Sequence, residues 1–183
     1  QARLIRDGLV ALWLRSEAGT LALPPEEDVH MAVEVELNRT IGPAAALLHS
    51  ARSRNDQIAT DLRLHVREVA ALALKSVAEL IGELVARARR EKDLILPSYT
   101  HRQRAQPISL AYWLASYGAA FLRDAQAFAF VLEQCRLLPL GVGAISGTSL
   151  PIDREVSRAL LAFDGVTLNG LDTVGDRDFA LDL

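Results

Sequence analysis

Apolar residues recur along this chain at steps of three and four, the spacing of one helix face. No stretch alternates with period two strongly enough to predict a strand, a turn and a second strand. "ARLIRDGLVALWLRSEAG" predicts a helix stopped at Gly19, and "PPEEDVHMAVEVELNRTIG" a second, with prolines and acids at its head and Gly42 after its end. "PAAALLHSA" reads as a linker. The longest pattern runs from about Ser53 to Arg90, with Ile58, Leu62, Val66, Val69, Ala73, Val77, Leu80 and Leu84 on one face. A second stripe passes through Ala70, Leu74, Ile81 and Val85. Such a helix is roughly 50 Å long, more than a compact domain of this size needs, and its two stripes predict a bundle with contacts on two sides. "DLILPSYTHRQRAQ" breaks the pattern, and Pro107 is expected to open the next helix from its first position. Over 107–122 that helix is apolar nearly all round, which predicts burial in a bundle or between subunits. "LPLGVGAISGTSLP" is an irregular Gly-rich loop, and Asp153 is expected to cap "REVSRALLAF". The predicted fold is all-α.

Composition narrows the function classes. With 183 residues, 50% hydrophobic and 23% charged, the chain has the means to build a core and does not resemble a disordered segment. A formal charge of −3 gives no general attraction to nucleic acid or anionic membrane. The single cysteine, Cys135, allows no internal disulfide and fits a reducing, cytoplasmic location. The least polar run, 109–122, is shorter than the ~20 residues a membrane helix needs. No signal-peptide pattern opens the chain. Gln1 begins inside one helical pattern and "DRDFALDL" stops inside another, so the sequence reads as part of a longer protein.

Polar residues concentrate in three breaks between helices. In the first, Ser53 is suited to cap the long helix, whose first N–H groups favour an anion, while Arg52 and Arg54 add fork-shaped donors for carboxylates. The competing reading is a capped helix whose arginines pair with acids elsewhere. The second, "YTHRQRAQP", places Thr100, His101, Arg102, Gln103, Arg104 and Gln106 within nine positions. His101 there is either an exposed loop histidine or a neutral-pH acid or base. In the third, "GLDTVGDRDF", Asp172, Asp176, Arg177 and Asp178 precede the final helix and read most simply as caps and ion pairs. The Gly-rich loop lacks the dinucleotide spacing and follows no predicted strand, and no zinc or nucleophile-elbow motif occurs. His30, His49 and His65 are scattered and read as structural or exposed.

Taken in order, these clusters resemble the argininosuccinate lyase family of the fumarase/aspartase superfamily. "HSARSRNDQIATDLRL" is similar to the first conserved region, "YTHRQRAQP" to the second, and "LPLGVGAISGTSLPIDRE" and "DTVGDRDF" to the stretches that follow. The resemblance covers essentially the whole chain. S-R-N-D-Q is its most specific part, since the superfamily's fumarases, aspartases and adenylosuccinate lyases carry other residues there. It implies a homotetramer whose central long helices form one multi-subunit bundle, with active sites at corners shared by three subunits. Residues 1–52 would then be the end of an N-terminal helical region, and 53–183 the first part of the central bundle domain. The implied reaction is reversible elimination of argininosuccinate to arginine and fumarate, without metal or other cofactor. Carried over by position, His101 is the acid/base histidine, and Ser53, Asn55 and Thr100 contact substrate. Arg52 and Arg54 bind or orient near it, and Arg177 matches an arginine close by.

The chain departs from the family pattern in places. Ser50-Ala51 replaces Thr-Gly, Arg102 replaces leucine, Val142 a serine of G-S-G-A, and Gly175 a serine. The change at Ala51 matters if that backbone needs positive φ, and Arg102 adds positive charge beside His101. The family's catalytic serine loop, G-S-S-x-M-P-Q-K-K-N-P, does not occur in these residues, so the isolated chain is expected to be inactive. Two alternatives follow: a superfamily lyase with another leaving group, and a non-catalytic, crystallin-like helical oligomer.

Overall fold

The computed structural model describes all of residues 1–183, which form two compact units, Gln1–Ser53 and Arg54–Leu183. In the first, α1 (Ala2–Glu17) and α2 (Val29–Ile41) end before Gly19 and Gly42 as their patterns predict. Asp28 starts α2 by accepting the Met31 N–H at 2.6 Å, so Pro24 and Pro25 lie ahead of the helix. The segment read as a linker is a 3-10 helix, Gly42–His49. Leu12, Leu37 and Ala45 are its buried core, one from each element.

The second unit is dominated by α3 (Arg54–Arg90), 37 residues or about 55 Å, as its stripes predict. It runs antiparallel to α4 (Leu110–Gln134), with Val66 and Ala70 of α3 packing against Val131 and Cys135. Between the two helices stands an antiparallel hairpin, β1 (Ile95–Thr100) and β2 (Gln103–Ser109). This corrects the sequence reading, which found no strand-turn-strand pattern and took that stretch only as a break between helices. Pro107 does not open a helix. It lies in β2 opposite Pro97, where a two-stranded ribbon leaves both residues on edges and requires no N–H from them. Ser109 caps α4 instead, accepting the Tyr112 N–H at 3.1 Å.

After α4 the chain forms β3 (Leu137–Leu138), the Gly-rich loop and α5 (Arg154–Leu160). Then come β4 (Gly165–Val166), parallel to β3, followed by α6 (Gly170–Gly175) and α7 (Asp178–Leu181). Asp153 caps α5 through the Glu155 N–H, as expected. Phe179 of α7 is buried among Val66, Ala70, Val131 and Cys135, which seats the end of the chain on the first half of α3. Burial raises the pKa of the Cys135 thiol, so it behaves as a packing residue. The apolar character of 107–122 predicts burial, yet only Leu114 of α4's first half is buried. Tyr112, Trp113, Tyr117 and Leu122 lie exposed. No helix is long and apolar enough to cross a membrane.

Candidate active site

The first cluster occupies the approach to α3 and its first turn. Ser53 immediately precedes the first helical residue, where a cap belongs. Ala51 has φ of 57°, the left-handed conformation that makes alanine in place of glycine costly. Arg52 donates to Glu34 of α2 at 3.0 Å, an acid shared with His49 at 3.1 Å, so the ion-pair reading holds for Arg52. Arg54 donates to Gln57 at 2.6 Å, one turn along, which aims its guanidinium along the helix. Asn55 is exposed, and Asp56, rotated about 100° from it, is wholly buried.

The second cluster forms the hairpin tip. Thr100 pairs with Gln103, so His101 and Arg102 are the two turn residues, with φ of 50° and 62°. Two positive φ values define the I′ turn, which matches strand twist but favours Asn-Gly. His-Arg at these positions holds two side chains in the left-handed region, at a cost of roughly 1–2 kcal/mol each. Both side chains are exposed, as are Thr100 and Arg104.

Arg177, in the third cluster, donates to the carbonyls of Val174 at 3.1 Å and Asp176 at 2.6 Å, so its contacts are with backbone. Asp176 pairs with Arg63 at 2.6 Å, as the ion-pair reading of this cluster predicts. Burial lowers the pKa of the Arg63 guanidinium and Asp176 opposes that shift. The ring of Phe179 lies 4.3 Å from its centre. Sequence reasoning passed over Arg63 and Asp56. Their signal was position: 56, 59, 63, 66 and 70 form one helical stripe, and charged residues on a buried stripe need dedicated partners. Val142 is buried in the core, and Gly175 ends α6 with open space around it.

The structure brings the first turn of α3, the Gly-rich loop and the 170–178 segment to one end of the second unit. It does not bring His101 there. From Asn55 to Arg90 the helix rises about 52 Å. The hairpin leaves from the far end, where the Leu110 N–H bonds the Leu94 carbonyl at 2.8 Å. Its arms of six and seven residues reach about 20 Å, so even a hairpin folded straight back leaves some 30 Å between His101 and Asn55. Any site that uses both residues on one small substrate takes them from different copies of the chain. No group of three or more His, Cys, Asp or Glu residues is placed to hold a metal ion.

The family model described as lyase matches residues 20–183. An argininosuccinate lyase of Streptococcus pneumoniae (strain Hungary19A-6) is 45% identical over 183 residues, 100% of this chain and 40% of that protein. The crystal structure of EDDS lyase in complex with formate has a TM-score of 0.85 at 29% identity, covering 98% of this chain and 35% of that one. A class II fumarase from Schistosoma mansoni has a TM-score of 0.69 at 17% identity over 98% of this chain and 47% of its own, a likeness of fold alone. The chain thus spans about 40% of the length of the curated relatives it matches.

Proposed function

The chain belongs to the lyase family, and from that premise we propose that it is part of an argininosuccinate lyase. The longer protein reversibly eliminates argininosuccinate to arginine and fumarate, with no cofactor. The identity to an argininosuccinate lyase along the whole chain carries this reading. Removing a proton beside a carboxylate builds a dianionic carbanion, which needs cations and donors fixed where the charge develops. Arg54 and Asn55, with Arg52 and Ser53 just before them, are donors of that kind. The N–H groups of a helix start add to them. Thr100 supplies a hydroxyl next to His101, which moves a proton as acid or base. Arg177 lies near the substrate. Residues 53–183 begin the central bundle domain of a cytoplasmic homotetramer, and residues 1–52 close the N-terminal helical region.

The length of α3 supports the shared site, because Asn55 and His101 can meet only between copies. The exposed Tyr112, Trp113 and Tyr117 of α4 supply an apolar face for such packing. The test is fumarate formation from argininosuccinate by the full-length parent, beside its His101→Asn variant. Asparagine accepts positive φ, so the hairpin keeps its turn and the variant isolates the chemistry. Turnover in the parent with a loss of about 100-fold or more in the variant is expected. A well-folded tetramer without turnover overturns the proposal. A second reading, elimination of a different amine from a succinyl substrate, is favoured by the likeness to EDDS lyase. Fumarate release from another N-succinyl amine in preference to argininosuccinate would select it.

A further inference from the structure

We propose that Asp56 is a positioning residue, a carboxylate that locks the first turn of α3 onto the Gly-rich loop and so sets the aim of Arg54 and Asn55. The Asp56 side chain is fully buried, and a buried carboxylate persists only with dedicated donors. One of its oxygens accepts the Gly141 and Gly143 N–H groups, each at 2.9 Å. These glycines have φ of 97° and 63°, which turns their amides toward one point, the concave arrangement that binds anions elsewhere. Here the anion is the protein's own. Neither glycine is replaceable without movement, since a Cβ on Gly143 would stand 2.8 Å from the Gly147 carbonyl oxygen and one on Gly141 would meet Arg154 at 2.7 Å.

The loop is itself a fixed body. Arg154 spreads its guanidinium over the carbonyls of Leu138, Leu140 and Thr167 at 2.8–2.9 Å, and Gly170 lies against the Ile145 carbonyl. The first turn of a helix lacks half of its hydrogen bonds and frays easily. Fixing Asp56 at the third helical position fixes the rotation of the two residues before it, each about 100° around the axis. A misplacement of about 1 Å costs on the order of 100-fold in rate, so this lock acts on chemistry without touching substrate.

The inference rests on the proposed lyase reading for its kinetic consequence, but the lock itself is measurable without substrate. In the unaltered full-length protein, the Gly141 and Gly143 amides should exchange hydrogen at least tenfold more slowly than the Ala144 amide of the same loop. Equal rates overturn the lock. In Asp56→Ala, kcat/KM for argininosuccinate should fall about 100-fold with KM raised, and in the milder Asp56→Asn about tenfold, with assembly retained. A variant that melts earlier but keeps its KM shows a merely structural Asp56 and overturns the proposal. If the parent releases no fumarate, the lyase reading fails, and the amide exchange of Asp56→Asn decides the lock. Faster exchange at both glycines upholds it, and unchanged exchange refutes it.

Discussion

The two halves of α3 carry similar amphipathic patterns and end in opposite situations. From Asp56 to Ala70 the helix buries six residues, and three of them are polar: Asp56, Thr60 and Arg63. Each has partners within its own chain, from the Gly-rich loop, the Asp56 carbonyl and Asp176. Beyond Ala70 no residue of α3 is buried, although Leu80 and Val85 continue the apolar pattern. The first half of α4 likewise exposes Tyr112, Trp113 and Tyr117. One half is finished by local chain, while the other leaves large apolar side chains uncovered. The candidate chemistry divides along the same line, with Asn55 at the finished end and His101 beyond the open one.

The largest effect that would break this comparison is complementation. Asn55→Ala and His101→Asn versions of the full-length protein, each down about 100-fold, should regain roughly tenfold or more when unfolded and reassembled together. Mixed tetramers no more active than their parents would show that one chain supplies both residues. Next comes packing. Phe179→Ala, in the finished half, should cost about 3–4 kcal/mol in denaturant unfolding of the chain. Trp113→Ala should cost less than about 1 kcal/mol in the monomer and weaken self-association instead. Equal losses in the monomer would erase the distinction between the halves.

Smaller effects separate strain from packing. Ala51→Gly and Arg102→Gly each relieve a left-handed residue and should stabilise by about 1 kcal/mol, read as a rise in melting temperature. Destabilisation by either would mean that the side chain offsets its own strain. The smallest effect lies outside α3 and serves as a control. A hydrogen bond from Arg15 at 2.8 Å holds the Glu36 carboxyl below its usual range. Its contribution to stability is therefore present above the ordinary carboxylate pKa and lost as pH falls through the lower folded value. The advantage of the unaltered chain over Glu36→Gln should shrink below about pH 4. An advantage independent of pH would remove the charge from the explanation.

Much of this was legible in the residues. The long helix, the caps at Asp153 and the stops before Gly19 and Gly42 follow from local chemistry that tertiary contacts reinforce. The left-handed Ala51 was legible too, because alanine stands where the family's glycine does. The hairpin was not. Its strands contain two prolines, its arms shift register between Pro97 and Tyr99, and its turn is His-Arg rather than Asn-Gly. Asp56 and Arg63 were hidden for a different reason. A polar residue on an apolar stripe announces only that partners exist, and those partners lie 85 to 113 positions away. The proposed site residues came from family resemblance, since spacing in sequence cannot tell which distant residues meet in space.

The 37-residue span of α3 has a consequence for how such a protein can change. The helix sets the distance between Asn55 in its first turn and the hairpin that carries His101. One inserted residue would advance everything beyond it by about 1.5 Å and turn it by about 100°. Seven would nearly restore the rotation while displacing the histidine hairpin by about 10 Å. A substitution in the second half leaves that distance intact, whereas a change of length does not, even one that leaves the apolar stripe in phase. A heptad insertion near Val77 would give a chain that still folds its first half and carries its hairpin about 10 Å further out.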